Sequence, residues 1–240
     1  DDPYRIRTCQ ELINWINEIG FLPLFANEIE GFSAEEHVSS DFWWTEDPDQ
    51  DPWVWREIIA RSREVAYGKF FDKKAGFISK QWLPYFANFR RDGYDFDARW
   101  EDGRANRREK KIMDFYISED DDGDTLWKED EILSTELKKK AGFGKGGEKN
   151  YPGIITGLQM QMYLVITDFR RRVNKRGEEY GMAVSVMFPP ETVWGYDTVT
   201  AAYPESPHDS WERIINRVKE LYPRADEKAI IKMIGKEPVV

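Results

Sequence analysis

The chain has 240 residues, with 35 Lys and Arg against 45 Asp and Glu, for a net charge of −10. Forty per cent apolar residues, ten Trp among the aromatics, are enough to build a core, so the composition excludes a disordered chain. No run approaches the ~18 apolar residues of a membrane-spanning helix, and Cys9, the single cysteine, gives no disulfide framework and points to a cytoplasmic protein. The two His, His37 and His208, and one Cys cannot fill an ordinary structural zinc site. No glycine loop of the Walker or dinucleotide kind is present, so neither a metal nor a cofactor is expected.

In chain order, Thr8 to Ile19 reads as a helix, with Leu12, Ile13, Ile16 and Ile19 at helical spacing and Gly20 as its stop. Residues 21–52 are irregular and acidic. A helix follows from Pro52 to about Arg63, then two strands, Val65 to Phe71 and Gly76 to Ser79. Gln81 to Arg90 is aromatic and helical, and Asp92-Gly93 is a turn. Arg104 to Ile117 reads as a helix, followed by an acidic loop. Asp120, Asp122, Gly123, Asp124 and Glu129 sit at calcium-loop spacing, but Ser118 holds the first place where Asp is expected. Helices at 134–141 and 151–166 come next, then a hairpin over about 167–188 with Gly177 at the left-handed position of its turn. Tyr180, Met182, Val184, Val186 and Phe188 alternate as one half-buried face. Two helices, about 209–221 and 225–234, close the chain.

Helix, helix, helix, hairpin is the order of a winged helix. The fold expectation is α+β, in three parts. An N-terminal α+β region covers 1–100, a winged-helix unit of three helices and a hairpin wing covers 104–188, and a C-terminal helical extension covers 189–240. Charge singles out the middle part. From Glu136 to Met182 there are ten Lys and Arg against five Asp and Glu, so this stretch is +5 and the remainder −15. A basic patch on one unit of an acidic chain is the footprint of phosphate contact, and duplex DNA is the expected partner.

On the helix at 151–166, Ile154, Ile155, Leu158, Met162 and Val165 form the buried stripe, leaving Thr156 and Tyr163 as outward-facing base readers. Lys149 and Asn150 stand at its start, and Arg170, Arg171, Arg172, Lys175 and Arg176 on the wing would neutralise phosphates. The acidic remainder and the lack of a central Arg or Asn reader support the alternative partner, a protein. Trp43, Trp44, Trp53 and Trp55 form a further candidate, an aromatic platform for a base.

Three stretches carry a family resemblance: Asp51-Pro52-Trp53-Val54-Trp55-Arg56; Ala66-Tyr67-Gly68-Lys69-Phe70-Phe71 with Gly76-Phe77-Ile78-Ser79; and Glu191-Thr192-Val193-Trp194-Gly195. Together they resemble the bacterial AlkZ-related proteins, named for similarity to AlkZ-type DNA glycosylases. Those enzymes are built from winged-helix units and remove alkylated bases or unhook crosslinks. The resemblance implies DNA association and, as an enzymatic possibility, a glycosylase-like hydrolase. The glycosylases hold the hydrolytic water with a Gln-apolar-Gln or Gln-apolar-Asp motif, and Gln159-Met160-Gln161 matches it in letters, which makes Gln159 and Gln161 the catalytic candidates. On a helix these side chains diverge by about 200° and cannot meet on one water; on an extended segment they would share a face.

Overall fold

A computed structural model describes residues 5–45 and 47–239. Helix α1 (Cys9–Ile19) begins where the sequence places it. The Thr8 hydroxyl accepts from the Glu11 amide at 3.1 Å, and the Glu11 carboxylate accepts from the Thr8 amide at 3.1 Å. This reciprocal cap satisfies amides that a helix start leaves free. Leu12, Ile13, Ile16 and Ile19 form its buried face. Gly20 ends it at φ 107°, and a Cβ there would lie 2.5 Å from the Trp82 ring, so both backbone and space require glycine. The chain continues into β1 (Phe21–Pro23).

Helix α2 (Pro52–Ser62) is capped by Asp51, whose carboxylate accepts from the Trp53 amide at 2.9 Å, and it buries Trp55 completely. Strands β2 (Val65–Phe71) and β3 (Lys74–Ser79) follow, turning through Asp72 and Lys73, both at positive φ. Next come α3 (Leu83–Arg91), α4 (Phe96–Glu101) and α5 (Arg107–Met113). The last is shorter than the periodicity suggests. Ile117 leaves the helix to begin β4 (Ile117–Glu119), which pairs with β5 (Thr125–Trp127). The calcium-loop reading falls with this hairpin, because no helices flank the acidic turn. The Asp120 carboxylate instead accepts from the amides of Asp122 and Asp124, at 3.0 and 2.8 Å.

Helices α6 (Ser134–Lys140) and α7 (Tyr151–Met160) lead into β6 (Val165–Val173) and β7 (Glu179–Phe188). Short α8 (Pro190–Trp194) and α9 (Tyr196–Val199) precede α10 (Pro207–Leu221) and α11 (Glu227–Ile234). The architecture is mixed α+β around a five-stranded antiparallel sheet of order β1-β3-β2-β6-β7. One core cluster runs from Ile6 to Ile234, uniting side chains from all three stretches that the charge and element pattern set apart.

Sheet order changes the expected wing. Strand β6 pairs with β2 at Tyr67↔Ile166, so the base of the hairpin lies inside the central sheet and only its outer half projects. The expected half-buried face of β7 also divides. Val184, Val186 and Phe188 are buried, whereas Tyr180 is 47% and Met182 84% exposed. These exposed residues lie on the projecting half, and a bulge at Gly181 (φ 72°) accompanies the change: Arg172 pairs with Tyr180 and Arg170 with Val184, so β7 carries two residues more than β6 across this step.

Candidate nucleic-acid interface

The hairpin tip is built by Asn174. Its side-chain oxygen accepts from the amides of Arg176 and Glu178 at 2.8 and 3.0 Å, while its own amide donates to Glu178 O at 2.9 Å. Gly177 takes the left-handed conformation at φ 80°, as its place in the sequence requires. The cations on this hairpin are not equivalent. Arg170 donates to Asp168 at 3.0 Å and pairs with Glu131 at 2.5 Å. Arg171 lies 3.8 Å from Glu179, and the Arg172 guanidinium sits 5.1 Å over the Tyr180 ring. Lys175 and Arg176 are exposed and make no ion pair among the described residues.

Asp168 anchors the hairpin base. Arg61 donates to it at 2.6 Å and also reaches Phe169 O at 3.1 Å. Partial burial works against the Asp168 charge, but the hydrogen bonds from Arg61, Arg170 and the Phe169 amide outweigh it and hold the carboxyl below the ordinary Asp range.

A second basic surface lies on α5, α6 and the 142–149 loop. Arg108 and Lys111 both pair with Glu148, and Lys140 pairs with Glu136. Lys138, Lys139, Lys145 and Lys149 are exposed and make no ion pair among the described residues. The loop then feeds α7 through Asn150, at φ 63°, whose side chain accepts from the Gly153 amide at 3.2 Å. A Cβ on Gly153 would come within 2.4 Å of that side chain, so this tight start depends on glycine. The Tyr151 hydroxyl donates to Ser134 O at 2.8 Å, tying the starts of α6 and α7 together. Burial pushes this phenol up to about 12 against the opposing Ser134 contact.

Helix α7 stops at Met160, six residues before the periodicity ends, because Met162 adopts φ 65° and turns the chain into β6. Two arginines hold that turn. Arg90 donates to Met160 O at 3.1 Å, and Arg91 donates to Met162 O at 2.7 Å. Arg91 is itself buried against Glu191 at 2.5 Å; burial opposes its charge, and the carboxylate more than restores it. The early stop relocates the expected readers. Thr156 is buried, and Tyr163 lies beyond the helix with its hydroxyl donating to Tyr94 O at 2.8 Å. Neither faces outward, because α7 packs against β2 and α5 as well as along its apolar stripe.

The two glutamines point apart. Gln159 is buried under β2, where its oxygen accepts from the Lys69 amide at 3.0 Å and its nitrogen donates to Ile155 O at 3.1 Å. Lys69 lies where the β2–β3 register shifts, so Gln159 satisfies an amide beside an irregular ladder. Gln161 caps α7, donating to Glu109 at 2.9 Å and to Gly157 O at 3.1 Å. Its own oxygen has no partner among the described residues. It lines an open groove of about 670 Å³ with Arg90, Asp92, Arg104 and Met160. Of the four Trp, Trp55 belongs to the core, donating to Asp49 O at 2.8 Å, while Trp43, Trp44 and Trp53 gather with Phe25 nearer the surface.

A family model described as AlkZ related matches residues 6–235, nearly the whole chain. The chain belongs to the AlkZ-related family. No curated protein and no solved structure matches it. In this AlkZ-related chain all three stretches that carried the resemblance meet in one core, through Trp55, through Tyr67 with Phe77, and through Val193. The sequence missed Glu109 and the Arg90–Arg91 pair as supports of the Gln161 turn. Their only signal was Arg90-Arg91 next to a turn, which reads equally as surface charge.

Proposed function

We propose that this protein associates with duplex DNA through the α6–α7 segment and the hairpin tip, in a DNA-repair-related role suggested by the AlkZ-related family. The observation that carries the reading is the set of unpaired, exposed lysines Lys138, Lys139, Lys145 and Lys149 leading into the start of α7, on a chain of net charge −10. Clustered cations on an acidic body favour a polyanion and steer its approach. The winged-helix reading of 104–188 belongs here. Helices α5, α6 and α7 precede the hairpin in that order, and Leu133, just before α6, bridges antiparallel to Val186 of β7. That single bridge supports the reading, since a winged helix ties its helical pair to the wing through a short strand at this place. With Thr156 and Tyr163 buried, contact would be to the backbone more than to base edges.

Fluorescence anisotropy with a labelled duplex, at two salt concentrations, tests this. Binding that weakens steeply with salt supports the reading; no binding at low salt removes it. A protein partner is the second reading, favoured by Val173, Tyr180 and Met182, exposed together on the outer hairpin. It is the reading to adopt if duplex DNA fails at low salt.

A glycosylase-like activity is a separate step in this proposal. Gln159 is occupied by the backbone of β2, whereas Gln161 lines an open groove and keeps one buried oxygen without a partner among the described residues, so Gln161 is the residue to test for positioning water. In a base-release assay on alkylated duplex, Gln161→Ala is expected to abolish release without unfolding the chain. Gln159→Ala is expected to destabilise it by about 1–3 kcal/mol, since the Lys69 amide loses its acceptor. Absence of release by the unaltered protein leaves the DNA-association reading standing and ends the enzymatic one.

A further inference from the structure

Four aromatic side chains close a ring of contacts away from the segments considered so far. Phe25 lies 6.0 Å from Trp43 and 6.2 Å from Trp53, Trp43 lies 6.3 Å from Trp44, and Trp44 lies 4.9 Å from Trp53, all between ring centroids. None of the pairs is a parallel stack; the planes are inclined by 32° to 48°. Phe25, Trp43 and Trp53 are half-buried, but Trp44 is 65% exposed. Trp44 also holds φ 63°, a left-handed conformation that a bulky residue adopts only under constraint. An indole exposed at a backbone cost, at the rim of three other rings, is a surface built for contact rather than a leftover of the core.

Charge selects the contact. Residues 40–52 contain no Lys or Arg, and Asp41, Asp47 and Asp49 are exposed along this segment. Arg56, the cation beside Trp53, is buried and pairs with Glu57 at 3.4 Å, so the exposed charge of this segment is acidic and phosphate-bearing ligands are disfavoured. Aromatic faces carry negative quadrupole potential, and the carboxylates add to it, so the complement is a cation. The cluster already demonstrates this. The Arg56 guanidinium lies 3.7 Å from the Trp53 ring centroid and 4.2 Å from that of Phe169. Among the described residues no cation lies over Trp43 or Trp44. The cation must also lose its hydration cheaply. A quaternary ammonium does so, because its charge is spread over methyl groups that themselves bury apolar area.

We infer that Phe25, Trp43, Trp44 and Trp53 form a binding site for a quaternary ammonium group. This goes beyond the DNA reading and does not depend on it. The group could belong to a small molecule of the choline kind or to a trimethylated lysine side chain, which present the same headgroup.

Calorimetric titration of the full chain separates the outcomes. Choline chloride is expected to give saturable binding. Its neutral isostere 3,3-dimethylbutan-1-ol, of the same shape without the charge, is expected to bind about tenfold more weakly or not at all. Trp44→Ala, at an exposed position that leaves the core intact, is expected to lose about tenfold in choline affinity with an unchanged circular dichroism spectrum. Trp44→Phe keeps a ring and is expected to retain part of it. A short peptide carrying trimethyllysine, compared with the same peptide carrying unmethylated lysine, identifies the source: tighter binding than choline assigns the site to a protein side chain, weaker binding to a small molecule. The inference is overturned if neither cation binds saturably, if the neutral alcohol binds as well as choline, or if Trp44→Ala binds unchanged.

Discussion

The hairpin and the α6–α7 segment are both rich in Lys and Arg, yet they present different charge to solvent. Across the hairpin, strands and turn together, five cations are interspersed with three carboxylates, and the arginine nearest the sheet is held by two acids, Asp168 and Glu131. On α6 and the loop after it, Lys138, Lys139, Lys145 and Lys149 project without ion pairs among the described residues. The difference teaches that a run of basic letters measures charge, whereas the field a polyanion meets is set by which charges are already paired. Arg170-Arg171-Arg172 is the more conspicuous run in the sequence. The dispersed lysines are the stronger candidates for phosphate contact.

Salt dependence of duplex binding breaks or sharpens this contrast. Each phosphate contact contributes about 0.9 to the slope of log affinity against log salt. Changing Lys138, Lys139, Lys145 and Lys149 together to Ala is expected to give the largest effect, a slope reduced by about 3 to 4. Lys175→Ala with Arg176→Ala, at the free tip, is expected to reduce it by about 2. Arg170→Ala, Arg171→Ala and Arg172→Ala combined are expected to change it by about 1 or less, because Arg170 is occupied by acids and Arg172 lies on Tyr180. The reverse order would return the interface to the hairpin.

The smallest effect concerns the base of the hairpin rather than its tip. The Asp168 carboxyl is held below its ordinary value, so its pairing adds stability above the unfolded Asp pKa of about 4 and loses it as pH falls through the lower folded value. Chemical denaturation of the unaltered protein and Asp168→Asn, from pH 6 down to pH 2, is expected to show a modest advantage that shrinks with acid. A pH-independent gap would mean that Arg61 and Arg170 do not hold this carboxylate charged.

Much of the local structure was legible. The Thr8–Glu11 cap, the two strands around Gly68 and Gly76 and the left-handed Gly177 each rest on a few neighbouring residues. Site geometry was less so. The periodicity places Thr156 and Tyr163 outward on a long helix, but the Met162 turn, fixed by Arg90 and Arg91 from some 70 residues away, ends the helix and buries them. Gln159 and Gln161 are a pair in letters only, since one serves β2 and the other α5.

By itself the sequence determined where most of the longer helices and strands begin, that an uneven charge marks residues 136–182, and which family the chain resembles. These follow from periodicity, capping and composition, which act over a few residues. Tertiary structure decided that β6 joins the hairpin to β2, which cations remain unpaired, and where each glutamine points. The physical reason is that ion pairing and sheet order depend on contacts between residues distant in the chain, and no local pattern records which distant partner will be there.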